Sequence, residues 1–140
     1  MAINTDFLVR CVNTLESAYT LLGTRGQDDE LYDIFRAAAV KEFEIVLEQS
    51  GSLLKRRLRP YFASNQLADR LSFKDVFRHA ARHGLISVDA SERWMDYRDN
   101  RNDTAHDYGE GFAETTIGLL DHFIRDARDL AVVIGEESDG

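Results

Sequence analysis

Apolar residues recur every three or four positions through most of this 140-residue chain, and that spacing is the strongest constraint on its fold. Such a pattern is typical of helices that bury one face. No stretch alternates apolar and polar residues as a half-buried strand does, and Pro60 is the single proline. The sequence therefore predicts an all-α fold, an antiparallel helical bundle of about five helices.

The first two helix boundaries follow from the residues that end helices. A helix is predicted over residues 6–22, before Gly23. A long second helix is predicted to end before Pro60, which cannot continue it. Gly51 lies in the middle of this second helix and indicates a bend or a close contact with a neighbouring element.

Four further elements are predicted after Pro60, the last of them a long helix from Phe112 to Ile134. Residues 61–71 are expected to form an irregular connection. A short helix then begins after Ser72, which is spaced to cap it, and ends at Gly84. The next helix is expected to be capped by Asp89 or Ser91.

The chain is the length of one domain that buries its own core. The helical pattern ends near residue 134, so we expect a single domain over 1–134 and an acidic, flexible tail over 135–140. The single cysteine, Cys11, is expected to be a small core residue. A secretory leader and a membrane-spanning run are both missing from the sequence, which favours a cytoplasmic protein.

Charge is unevenly distributed along the chain. Residues 1–50 hold 4 basic and 9 acidic groups, residues 51–101 hold 11 and 6, and residues 102–140 hold 2 and 10. A basic middle third indicates a local phosphate-attracting surface on an acidic protein, with a solvated face that has no partner as the alternative. The cations of this proposed face are Lys55, Arg56, Arg57, Arg59, Arg78 and Arg82.

A polar segment, residues 97–108, interrupts the helical pattern. On a helical wheel His106 lies roughly 140° from Arg101 and roughly 160° from Tyr108. If Arg101 and His106 act on one substrate atom, the helix must unwind between them, or a second copy of the chain must supply one of them. A symmetric dimer with this segment at its axis would bring two histidines and two arginines around one phosphate.

The residue types of this segment suit RNA cleavage without a metal. His106 is suited to proton transfer near neutral pH. Arg101 offers a planar cationic fork matched to phosphate oxygens, and Asn102 can orient the phosphate or the imidazole. The alternative is structural, with Arg101 paired to a carboxylate and His106 capping a helix end.

His79 and His83 have the i, i+4 spacing of two metal ligands on one helix. No third ligand is evident in the sequence and no glutamate lies between them. We therefore predict no metal site and no cofactor.

The polar segment also resembles a known family. Its core, written Arg101-Asn-Asp-Thr-Ala-His106-Asp-Tyr108, reads as Arg-x4-His-x-Tyr and is similar to the motif of HEPN proteins paired with a minimal nucleotidyltransferase. Further likeness spans most of the chain and includes residues 34–49, residues 53–56, and residues 73–86 followed by Trp94.

The resemblance implies a dimeric ribonuclease toxin with a composite site at the dimer interface, acting on tRNA or mRNA. It also implies a separate minimal nucleotidyltransferase antitoxin that transfers AMP to the motif tyrosine, here Tyr108. Some members of the family with the same motif are described instead as non-catalytic substrate-binding or nucleotide-binding subunits of a two-component nucleotidyltransferase. The motif is compatible with both activities.

Overall fold

Six α-helices and one short 3-10 helix make up the part of the chain, residues 2–103 and 110–136, that the computed structural model describes. No strand occurs in these ranges, so the predicted all-α fold is confirmed. The helices are α1 (Asp6–Leu22), α2 (Glu30–Leu58), α3 (Asn65–Asp69), α4 (Phe73–Arg82), α5 (Val88–Asp103) and α6 (Glu110–Gly135), with the 3-10 helix at Arg59–Tyr61.

The predicted limits of the first two helices are confirmed. α1 ends at Leu22, and Gly23 follows it as the C-terminal cap. α2 begins after Asp29, whose carboxylate accepts a hydrogen bond from the backbone N–H of Leu31 at 2.8 Å. It ends at Leu58, and Pro60 lies in the following 3-10 helix, where a proline costs no hydrogen bond.

The connection after Pro60 contains a helix that the sequence pattern did not predict. The hydroxyl oxygen of Ser64 accepts from the backbone N–H of Leu67 at 3.3 Å and starts α3. At the other end of α3, Asp69 binds the Arg59 guanidinium through two contacts of 3.1 Å. The expectation of an irregular connection over 61–71 was therefore wrong for residues 65–69, because a cap and an ion pair stabilise a single helical turn too short to show periodicity.

The cap of α4 was predicted correctly and that of α5 was not. Ser72 accepts from the backbone N–H of Asp75 at 3.2 Å and caps α4. α5 is capped by Ser87, which accepts from the backbone N–H of Ala90 at 3.0 Å, rather than by Asp89 or Ser91. Ser91 is buried instead, and its hydroxyl donates to a backbone carbonyl of α4.

α2 is the central helix, since it contacts all five other α-helices. The largest buried side chains around it are aromatic, and they form a connected cluster. The Trp94 and Phe77 rings stack with centroids 4.9 Å apart, and Phe123 lies 4.6 Å from Phe43. Trp94 is 1% exposed, so its prediction as a core residue is confirmed.

Gly51 permits the close approach of α2 and α4. A Cβ atom at this position would lie 2.7 Å from Cε2 of Phe73, closer than carbon atoms can pack. The close contact predicted for this glycine is confirmed, and it explains why a helix centre tolerates a residue of low helix propensity.

Three other expectations concern Cys11, a membrane span and the end of the chain. Cys11 is buried as predicted, and burial raises the pKa of its thiol, which disfavours the reactive thiolate. Among the described residues, no helix is both long and apolar enough to span a membrane. α6 continues to Gly135, and residues 137–140 of the predicted tail lie outside the described residues.

Candidate functional site

The last turn of α5 carries the first two residues of the predicted site. Arg101 is partly buried there, and Asn102 is the next residue of the same continuous helix. His106 and Tyr108 lie outside the described residues. The placement of these two side chains relative to Arg101 therefore stays a prediction.

A buried polar network fixes α5 one turn before Arg101. Asp126, on α6, is 7% exposed and accepts two hydrogen bonds of 2.8 Å from the guanidinium of Arg93. The Tyr97 hydroxyl donates to the same carboxylate at 2.6 Å. A bidentate, charge-assisted pair sets both the distance and the rotation between two helices.

Burial and the Asp126 carboxylate raise the pKa of Tyr97 above its usual value. The phenol therefore stays a hydrogen-bond donor throughout the neutral range. The Tyr97 ring packs edge-on against Phe123 with centroids 5.0 Å apart, which joins this polar network to the aromatic core.

A second contact lies directly beside the candidate residues. The Asn100 side-chain amide donates to the Thr116 hydroxyl at 3.0 Å, and Thr116 is fully buried on α6. The residue immediately before Arg101 is therefore tied to the helix that follows the motif.

The start of α6 is anchored independently to α2. Glu114 accepts from the Tyr32 hydroxyl at 2.8 Å and from the Arg36 guanidinium at 3.0 Å. These two donors hold the pKa of the Glu114 carboxyl below its usual value. Together with the Asn100–Thr116 contact, this fixes the chain on both sides of residues 104–109.

The proposed basic face is partly neutralised by its own neighbours. Arg59 is paired with Asp69, and Lys55 donates to the Asp69 carbonyl at 3.4 Å. Arg78 is paired with Asp75 at 2.9 Å. Two of the six cations are therefore already paired with carboxylates, so the net positive field is weaker than their number suggests.

The remaining three cations differ in exposure. Arg56 and Arg82 are exposed and make no ion pair within the described ranges. Arg57 is 8% exposed, so it lies in the interior rather than on the face where the sequence pattern had placed it.

His79 and His83 pack against aromatic rings. His83 stacks on Tyr61 with ring centroids 4.0 Å apart, and His79 meets Phe62 edge-on at 5.1 Å. Among the described residues, no three histidine, cysteine or carboxylate side chains are grouped so that they could hold a metal ion.

Sequence reasoning missed the residues that hold the site, namely Asp126, Thr116, Asn100 and Glu114 with its partners. The residues in these contacts are separated by 16 to 82 positions in the sequence, so no local pattern of residues predicts them. Asp126 carries one usable signal, because a carboxylate between Ile124 and Ala127 on an apolar helix face must find a partner when that face is buried.

The described helices form a bundle in which α5 ends within the predicted motif, which is compatible with the expected HEPN-like fold. The chain belongs to the family described as nucleotidyltransferase substrate binding protein like, which matches residues 6–133. The predicted resemblance is therefore confirmed at the level of the family.

Individual relatives agree with this assignment. A Haemophilus influenzae protein named probable ribonuclease HepT is 32% identical over 126 residues, which cover 87% of this chain and 85% of the relative. A structure from Haemophilus influenzae is 27% identical with a TM-score of 0.79, and the match covers 95% of this chain and all of that one. That structure is described as revealing the fold of a substrate binding domain of a nucleotidyltransferase. A structure described as a toxin–antitoxin with AMP-PNP is 18% identical with a TM-score of 0.65, covering 94% and 99%, and supports the fold alone.

Proposed function

We propose that this protein is the HEPN-type toxin of a toxin–antitoxin pair, a dimeric, metal-independent endoribonuclease that cleaves tRNA or mRNA. The observation that carries the proposal is the position of Arg101. It lies at the end of a helix that Asp126 and Thr116 hold in place, in a chain whose curated relative is named a probable ribonuclease. A cation that stabilises a phosphate in a transition state must be held on a rigid part of the backbone.

The proposed reaction is an attack of the RNA 2′-hydroxyl on the adjacent phosphorus. His106 takes the hydroxyl proton, a P–O bond forms to the 2′ oxygen, and the bond to the 5′ oxygen breaks. Arg101 stabilises the added negative charge on the phosphorane, and Asn102 orients the phosphate or the imidazole. The leaving 5′ oxygen takes up a proton, and the products are a 2′,3′-cyclic phosphate and a 5′-hydroxyl.

A homodimer completes this chemistry. Each chain has one motif histidine, which supplies one of the two proton transfers. A two-fold dimer with residues 97–108 at its axis brings His106 of each chain to one phosphate, one as base and the other as acid.

Cleavage is expected to persist in excess EDTA and to leave a cyclic phosphate at the 3′ end of the upstream fragment. The physical reason is that an internal nucleophile with a histidine base needs no metal-bound water. The measurement is gel analysis of a labelled RNA, with the 3′ end identified by its resistance to phosphatase until acid opens the ring. Cleavage that returns solely on addition of a divalent ion would contradict the mechanism.

The proposed partner is a minimal nucleotidyltransferase antitoxin that modifies Tyr108. In that step the phenolic oxygen attacks the α-phosphorus of ATP, pyrophosphate leaves, and the phenol proton passes to solvent. The product places a phosphate and a purine two residues from His106, which blocks the phosphate site.

Tyr108→Phe is expected to stay a competent ribonuclease and to escape modification by the partner. The change removes the accepting oxygen and leaves the ring. Intact-mass spectrometry after co-expression with the neighbouring nucleotidyltransferase is the measurement, and wild type should gain the mass of one AMP group. A Phe variant that is still modified would place the acceptor on another residue.

A second candidate function is a non-catalytic subunit that presents a substrate or nucleotide to the same nucleotidyltransferase. The family description and the Haemophilus influenzae structure at 27% identity favour it. The same cleavage assay separates the two. Purified protein that binds its partner and a nucleotide, yet cleaves no RNA, would support the second function.

A further inference from the structure

Arg57, at the end of α2, is a buried cation that pairs with no carboxylate in the described part of the chain. It is 8% exposed, and its Nε and Nη1 atoms have no hydrogen-bond partner within the described part of the chain. A buried guanidinium normally retains a carboxylate, because removing the charge from water is otherwise unfavourable. Within the described ranges, therefore, no carboxylate balances the charge of this arginine.

One aromatic side chain lies beside Arg57, and a second stacks on the first. The guanidinium carbon is 5.9 Å from the centroid of the Tyr61 ring. Tyr61 in turn stacks on His83, with ring centroids 4.0 Å apart and planes 14° from parallel. Tyr61 is 42% exposed and His83 is also exposed, so the stack borders solvent, while 8% of the Arg57 surface remains exposed beside it.

The neighbouring charges favour an anionic ligand here. Arg56, next to Arg57 on α2, and Arg82, next to His83, are exposed and free of ion pairs within the described ranges. The nearby Asp69 is already engaged by Arg59. An anion that reaches this end of the bundle therefore meets cations that no carboxylate has neutralised.

We propose that Arg57, Tyr61 and His83 form a nucleotide subsite for single-stranded RNA. A phosphate of the strand pairs with the Arg57 guanidinium, and the adjoining base stacks on the Tyr61–His83 pair. Proteins that bind single strands combine these two elements, a cation for the backbone and an aromatic surface for the base.

The subsite rests on the proposed ribonuclease function and extends it. Arg57 lies nine residues beyond Glu48 on α2, about 13 Å along the helix. Glu48 pairs with Arg98, which precedes Arg101 by one turn of α5. Nine residues also rotate the helix by about 180°, so a bound strand has to pass around α2 between the subsite and the candidate catalytic end of α5. The subsite would select RNA by its single-stranded flank.

The test uses a fluorescein-labelled, single-stranded oligonucleotide with 2′-O-methyl riboses, which lacks the attacking hydroxyl and cannot be cleaved. Its affinity is measured by fluorescence anisotropy. Tyr61→Leu is expected to weaken binding roughly tenfold, while Tyr61→Phe, which keeps the stacking ring, binds like wild type. Phe7→Leu is the control, because Phe7 is an exposed aromatic on α1, a helix that does not contact α4.

Arg57→Met is expected to weaken binding by a similar factor and to reduce the steepness of its salt dependence by about 0.7 in log–log slope. Its melting temperature should equal or exceed that of wild type, because an uncompensated buried charge is replaced by an apolar side chain. Arg10→Met, at an exposed arginine on α1, is the matched control.

Three results would overturn the subsite. One is a Tyr61→Leu variant that binds like wild type. Another is an Arg57→Met variant with a lower melting temperature and unchanged affinity, which would make the arginine structural. The third is a change in oligomeric mass of Arg57→Met with unchanged affinity, which would assign Arg57 to contact with a second copy of the chain.

Cleavage of unmodified RNA is measured separately, so the two proposals fail in different ways. Wild type that binds the oligonucleotide through Arg57 and Tyr61 but cleaves no RNA would refute the ribonuclease and retain the subsite. Wild type that cleaves RNA, with both variants binding normally, would refute the subsite and retain the ribonuclease.

Discussion

Alanine at His106 or at Arg101 is expected to lower the rate of RNA cleavage by at least about 100-fold, with the helical CD spectrum unchanged. His106→Ala removes a proton-transfer group, and Arg101→Ala removes the cation that stabilises the phosphorane. The fold should not suffer from the second change, because Arg101 is in the last turn of α5 and the core residues Trp94 and Tyr97 lie before it. Single-turnover cleavage of a labelled RNA measures the effect.

The double variant should be little slower than the slower single variant, since the two groups act on one transition state. Arg125→Ala is the control for lost positive charge, because Arg125 is an exposed arginine on α6. Light scattering on the same preparations should give the mass of a dimer for every variant. Full activity in both single variants would refute the catalytic roles and favour the nucleotide-presenting subunit.

The order and ends of the long helices could be predicted from the sequence because they depend on local chemistry. Gly23 after α1 and Pro60 after α2 are residues whose backbones end helices. Ser72 was recognisable as a cap from the acid three residues after it. Ser87 was missed because Asp89 and Ser91, two equally good cap residues, follow it closely.

The anchoring of the site could not be predicted in the same way. Asn100 and Thr116 meet because α5 and α6 pack in one particular register, which depends on the shapes of Trp94, Phe123 and the rest of the core. The burial of Arg57 has a similar origin. From the sequence, a cation at the end of α2 is expected to be exposed. In the structure Arg57 is buried, and the ring of Tyr61, from the following 3-10 helix, lies beside its guanidinium.

Asp126→Ala is expected to lower the free energy of unfolding by about 3 kcal/mol. The change leaves the buried Tyr97 hydroxyl without an acceptor, frees Arg93 from its bidentate partner, and opens a small cavity between α5 and α6. Urea denaturation followed by CD is the measurement. Asp129→Ala, one turn away at an exposed carboxylate on the same helix, should change stability by less than about 0.5 kcal/mol.

The same network makes stability depend on alkaline pH. Because the folded protein holds the pKa of Tyr97 above its ordinary value of 10.0, the unfolded phenol ionises first. The contribution of the protonated Tyr97 phenol to the free energy of unfolding is therefore fully present below pH 10 and is lost as the pH rises above it. Tyr97→Phe should be less stable at neutral pH, having lost the bond to Asp126, yet should lose stability less steeply above pH 10. An equally steep loss in the Phe variant would show that Tyr97 is not the group whose titration lowers the stability.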